Sequence, residues 1–171
     1  AASLFVGFVT EKAKTIGRLF EDSVSRGTIT ETDLFDENYR PIPGTFPQQY
    51  MSNFVGFTDR LLPDLLDSAL DIDPRVIFCA AVDRNGYLPT HNRKYSHPQG
   101  TDLAWNTANC RNHRLFNDSA GLASAQNRKP FLIQTYRRDM GGGQSLAMVE
   151  ISSAILVNGR HWGGLRLGHA V

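Results

Sequence analysis

The sequence predicts an α+β fold, with long N-terminal helices on one face of a five-stranded antiparallel sheet and a helical/loop crossover on the other; three observations predict it. Apolar residues at Leu4, Phe5, Phe8, Val9, Ala13, Ile16, Leu19, Phe20 and Val24 keep the three-or-four spacing of an amphipathic helix. Strand-like runs begin only after residue 75, at Arg75 to Val82, Phe131 to Arg138, Ser145 to Val157 and Arg160 to His169. Asn85-Gly86 and Asn158-Gly159 supply the positive φ angles of tight hairpin turns, which join antiparallel neighbours. A length of 171 residues fits one domain, with a helical part over 1–72 and the sheet over 75–171, its crossover spanning 92–127.

Each element follows from local signals. Arg26-Gly27 ends the first helix, with Gly27 as its C-terminal cap. The prolines of Pro41-Ile42-Pro43-Gly44-Thr45-Phe46-Pro47 forbid regular helix and lay the chain over the surface. A second helix is expected from Gln48 to Leu70, kinked at Pro63. The first strand, Arg75 to Val82, is followed through Asn85-Gly86 by a second beginning at Tyr87. Short helices are expected around Trp105 to Phe116. Met140-Gly141-Gly142-Gly143 then turns the first pair of a closing three-stranded meander.

Composition excludes some classes of function. A net charge of +1 gives no electrostatic footprint for nucleic acid, and no apolar run approaches the ~20 residues that span a bilayer. The opening residues read as the middle of a longer chain. Cys79 and Cys110 stand in unlike contexts and are expected as free thiols. No two of His91, His97, His113, His161 and His169 have the spacing of zinc ligands. Ser96, His97 and Asp102 lack a nucleophile elbow, and the glycine run lacks the lysine of a phosphate loop, so no enzyme is expected.

Alternation along Phe131 to Arg138 puts Leu132, Gln134, Tyr136 and Arg138 on one face, which is unusually polar for a strand. That face either meets solvent or is roofed by the crossover, so that Tyr136 and Arg138 point into a cavity. In the second case arginine suits a carboxylate, because its planar fork donates two parallel hydrogen bonds. Cys79 and Ala81 are small and leave room beside the sheet, whereas Gly163 and Gly164 mark either close approach of a ligand or backbone, or a bulge.

Three segments taken together, 82–92 (VDRNGYLPTHN), 130–139 (PFLIQTYRRD) and 158–166 (NGRHWGGLR), resemble the sensor domain of bacterial methyl-accepting chemotaxis proteins. Thr32 to Asp36 and Arg114 to Asp118 are similar to that family too. The resemblance implies a PAS-like, Cache fold that binds a small polar or anionic ligand and signals through its N-terminal helix. Some relatives carry covalent heme on Cys-x-x-Cys-His, but Cys110-Arg111-Asn112-His113 lacks the second thiol, so no cofactor is expected. The ligand-binding residues expected are Tyr87, His91, Arg111, Arg114, Gln134, Tyr136 and Arg138. Expected partners are the ligand, a twin chain paired through the first helix and the rest of a membrane-associated receptor. The free thiols favour the cytoplasmic side over the periplasmic one. The alternative reading is a structural or dimerisation module without a ligand.

Overall fold

The computed structural model describes residues 2–171. The chain opens with α1 (Ala2–Ser25), whose Phe5, Val9, Ala13, Ile16 and Phe20 are buried on one face. Thr28 N–H returns to the Ser23 carbonyl at 2.9 Å and closes the helix at Gly27, as the sequence predicts. A single turn, α2 (Glu31–Leu34), follows, capped by the Thr30 side chain. Next, β1 (Arg40–Pro41) pairs with β2 (Tyr50–Met51) as a short ribbon around the proline-rich loop.

The expected helix from Gln48 to Leu70 is not continuous. Its first residues are extended, and the rest divides into α3 (Val55–Leu61) and α4 (Pro63–Ser68), then a 3-10 turn over Ala69–Asp71. Pro63 is the break: with no N–H to donate, it takes the first position of a new helix.

The main sheet has four strands, not five. These are β3 (Val76–Asp83), β6 (Leu132–Gly141), β7 (Gln144–Val157) and β8 (Arg160–Ala170), in spatial order β3-β8-β7-β6 and antiparallel at every pairing. The missing strand is β4 (Tyr87–Leu88), which leaves β3 and pairs instead with β5 (Arg114–Leu115). The Asp83 carboxylate accepts the Asn85 and Tyr87 N–H groups, both at 3.0 Å, and Phe116 N–H donates to the Gly86 carbonyl at 2.8 Å. The turn therefore swings out of the sheet plane toward the crossover, and Pro89 stops further pairing. At Asn158 and Gly159 both φ angles are positive, and the tight turn between β7 and β8 is present as expected.

Between β4 and β6 the crossover runs through a 3-10 turn (Arg93–Tyr95), α5 (Leu103–Asn109), β5 and α6 (Ser119–Gln126). Asp102 and Asp118 cap α5 and α6 by accepting the N–H groups of Trp105 and Gly121. On the opposite face, α1 lies along β7 and β8. Phe20, Phe54 and Trp162 meet there edge to face, in a core where each buried large side chain contributes ~1.5–3 kcal/mol. Asn92 closes the free edge of β3: its Oδ1 accepts the Cys79 N–H at 2.8 Å and its Nδ2 donates to the Leu66 carbonyl at 3.0 Å.

The small residues do not open space beside the sheet. Cys79 and Ala81 are packed into the core on the α1 side of the sheet, where α4 and the 3-10 turn meet β3. A Cβ on Gly163 would collide with the Val82 carbonyl, and one on Gly164 would stand 2.7 Å from the Ser124 carbonyl of α6. These glycines admit neighbouring backbone, not a ligand.

Candidate functional site

On the sheet face turned away from α1, strand register assembles a polar cluster from residues far apart in sequence. Gln134 and Glu150 are cross-strand partners, as are Ser152 and Arg166, while Tyr136 and Arg138 alternate onto the same face of β6. The crossover roofs this face. α5 packs on β6 so closely that a Cβ on Gly141 would collide with the Ala104 carbonyl, and Gly141 has φ +84°. Sheet and roof bound a cavity of about 230 Å³, smaller than the ~300–1,000 Å³ pockets that take drug-sized molecules.

Five arginines line it: Arg111 and Arg114 from the roof, and Arg137, Arg138 and Arg166 from the sheet, of which Arg137 is exposed and donates to the Ser145 hydroxyl at 2.8 Å. Their partners differ. The Glu150 carboxylate accepts both Nε and Nη2 of Arg166, the latter at 3.0 Å, and also the Ser124 hydroxyl at 2.9 Å. Burial works against the charge of Arg166, but the Glu150 carboxylate outweighs it and holds the guanidinium above its ordinary pKa.

Arg138 is 2% exposed, yet its Nε and Nη2 have no hydrogen-bond partner. Its guanidinium carbon lies 4.7 Å from the centre of the Phe78 ring and 4.8 Å from that of Tyr95, between two π faces. Arg111 donates through Nη1 to the Thr107 and Asp139 carbonyls at 2.8 and 2.9 Å, but its Nε is buried without a partner. Arg114 lies over the Phe116 ring at 4.7 Å and donates to the Thr107 carbonyl at 3.3 Å.

Burial disfavours the charge on Arg111, Arg114 and Arg138, lowering Arg114 to about 10, and each is further lowered by its cationic neighbours. Arginine does not shed its proton in a protein, so the unfavourable term stays in the folded state as free energy. His91 has the same surroundings. Burial first, then Arg138, Arg111, Arg166 and Arg114, hold it well below its usual pKa, and the imidazole is neutral. Its Nδ1 accepts the Asn92 N–H at 2.7 Å, which assigns the ring proton to Nε2 as a donor.

The Nε and Nη2 of Arg138 form the side edge of the guanidinium, one of the edges that receives a carboxylate through two parallel hydrogen bonds. A planar oxyanion on that edge would satisfy two buried donors together. Asp118 and Asp139 also line the cavity; both are exposed, and their Oδ1 atoms accept the backbone N–H groups of Gly121 and Gly141.

Of the seven residues expected to bind a ligand, His91, Arg111, Arg114, Tyr136 and Arg138 line this cavity. Tyr87 lies outside it: its ring stacks on Tyr39 in the α1-side core, and its hydroxyl donates to the Tyr50 carbonyl at 2.7 Å. Gln134 holds the roof in place instead, donating to the Ala120 carbonyl and the Ser124 hydroxyl of α6, both at 3.0 Å. Arg166, Phe78 and Phe116 are among the other lining residues and are not among those expected from the sequence. The signal for Arg166 is its alternation onto the roofed face together with Glu150, but its pairing depends on register.

A larger groove, about 490 Å³, runs between α1 and the end of the sheet past Lys14, Arg18, Arg128, Lys129 and Leu156. Its cations are exposed, and none of its lining residues holds a buried donor without a partner, so it lacks what distinguishes the arginine cavity. Among the described residues no three His, Cys, Asp or Glu side chains come together as a metal site would need, and no helix is long and apolar enough to cross a membrane. No family model matches the chain, and no match to a curated protein was found.

Proposed function

We propose that the chain is a ligand-sensing domain of bacterial chemotaxis-receptor type, PAS-like and of the Cache class, which takes up a small organic anion in the arginine-lined cavity. The observation that carries the anion is the buried, unpartnered side edge of Arg138. An unmet buried donor costs ~1–3 kcal/mol, and a ligand-free structural module gains nothing from keeping several of them around one cavity. What supports the receptor assignment is the resemblance of 82–92, 130–139 and 158–166, with an antiparallel sheet held between an N-terminal helix and a helical roof. The reading includes no catalytic step and no covalent heme, since Cys110 stands without a second thiol three residues away.

In this reading α1 passes the signal onward. It lies on the back of β7 and β8, whose front carries Glu150 and Arg166, so the sheet is the one element shared by cavity and helix. Its apolar stripe is largely used within the chain. Pairing with a twin chain would therefore use Leu4, 49% exposed, and the half-buried Phe8. Cys79 and Cys110 are unbridged, which supports the cytoplasmic side.

A thermal-shift screen of small organic anions tests the proposal. A ligand at ~100 times its Kd adds about 2.7 kcal/mol, which for this length raises the melting temperature by roughly 5–10 °C. Arg138→Lys keeps the charge, loses the two-pronged edge and should remove most of that rise. A screen without any stabilising anion, on protein that unfolds cooperatively, would end this reading.

A further inference from the structure

We infer that the ligand is a compact dianion, with one carboxylate on the side edge of Arg138 and a second anionic group at Arg111. The inference rests on the anion-binding reading above and deepens it. Arg137 is exposed, and of the four other guanidinium groups Arg166 is neutralised by both oxygens of Glu150. Arg114, half-buried, is the one that Asp139 supports through its charge. Arg111 and Arg138, 6% and 2% exposed, have no carboxylate partner.

The unsatisfied donors divide in the same way. Among these arginines the buried N–H groups without a partner are Nε and Nη2 of Arg138 and Nε of Arg111, so two separate cations keep unmet donors. A single carboxylate on Arg138 would leave the Arg111 charge uncompensated in a cavity that already works against it. A zwitterion would bring an ammonium group among five guanidiniums. The carboxylates that would receive it, Asp118 and Asp139, are exposed and already cap backbone N–H groups. His91 presents its Nε2 proton as a neutral donor and adds no further charge. The aromatic faces of Phe78 and Phe116, with about 230 Å³ between sheet and roof, suit a short or planar carbon skeleton between the two charged ends.

Matched ligands test it on the wild-type protein: dicarboxylates of three to six carbons (malonate, succinate, fumarate, 2-oxoglutarate, adipate), the monoamides succinamate and fumaramate, and the zwitterion 4-aminobutyrate. Titration calorimetry should rank at least one dicarboxylate tenfold or more above its monoamide, the loss expected when one charge-assisted pair is removed. 4-Aminobutyrate should bind no more tightly than succinamate. Arg111→Lys should bring the preferred dicarboxylate down toward the affinity of its monoamide while changing monoamide binding little. Equal affinity of diacid and monoamide, or preference for the zwitterion, overturns the dianion and leaves the anion site standing. Failure of every member to bind overturns the dianion and the anion site together.

Discussion

Arg138 and Arg166 stand on the same face of the same sheet, 2% and 5% exposed, and line one cavity, yet they are opposite cases of a buried charge. Arg166 has its counter-ion in Glu150, which also receives Ser124, so its Nε and Nη2 are met within the fold. Arg138 has only two aromatic faces, each worth about 0.5–2 kcal/mol, and no carboxylate. The first arrangement is complete before any ligand arrives. The second holds donors that a bound oxyanion would satisfy, and the contrast separates a structural charge from one built for recognition.

The largest test of that contrast is Glu150→Gln, which strands Arg166 in the interior. It should cost about 3–5 kcal/mol, whereas removing Arg138 should cost nothing. Chemical denaturation of the two variants side by side measures the difference. A mild Glu150→Gln would show that Arg166 is not the structural member of the pair.

The histidine between the arginines gives a pH test. His91 is held well below 6.5, so the unfolded chain binds a proton that the native one refuses, and stability falls as the pH drops below about 6.5. The loss is ~1.4 kcal/mol per pH unit, fully absent above 6.5. Asp83 acts in the opposite sense. Burial pushes it up to about 6, so its protonation stabilises the native state as the pH falls from 6 toward 3.8. The two largely cancel between pH 4 and 6. His91→Gln should expose the Asp83 trend, with stability relative to wild type climbing on acidification, and Asp83→Asn should expose the histidine trend. Parallel pH profiles for wild type and His91→Gln would mean that His91 titrates normally and that the guanidinium field is weak.

Arg138→Met fills similar volume without a buried charge, and should leave the ligand-free protein as stable or more stable by about 1 kcal/mol while abolishing anion-induced stabilisation. A loss above ~2 kcal/mol would mark Arg138 as structural in the manner of Arg166.

What the sequence made legible was local. The end of α1 at Gly27, the Asn158-Gly159 turn and the alternation of β6 each depend on a few adjacent residues, as does the placement of Arg111 and Arg114 in the crossover. Pairing across strands was hidden. Counting back from the Asn158-Gly159 turn puts Arg166 opposite Ile151, but an irregularity between Ile155 and Leu156 shifts the register and sets it opposite Ser152, beside Glu150. No residue type announces that bulge. The fifth strand failed for a related reason: Asn-Gly supplies a turn, but the Asp83 carboxylate and the Phe116 backbone decide which way the chain leaves it. Tyr87 and Gln134 were misplaced because alternation says which face a side chain takes and not what has already filled the space above it.

The two thiols divide the molecule in another way. Cys79 lies on β3 in the core on the α1 side of the sheet, and Cys110 ends α5 within the crossover roof; both are free and 0% exposed. A thiol is alkylated only when it is exposed and ionised, and burial raises the Cys79 pKa above its ordinary value. Alkylation of the native protein therefore waits on opening, at a rate set by the local cost of exposing each sulfur. Cys110 records the loosening of the crossover that carries it and Cys79 the parting of α4 and the 3-10 turn after it from β3, so the protein carries two clocks, one for each side of the sheet.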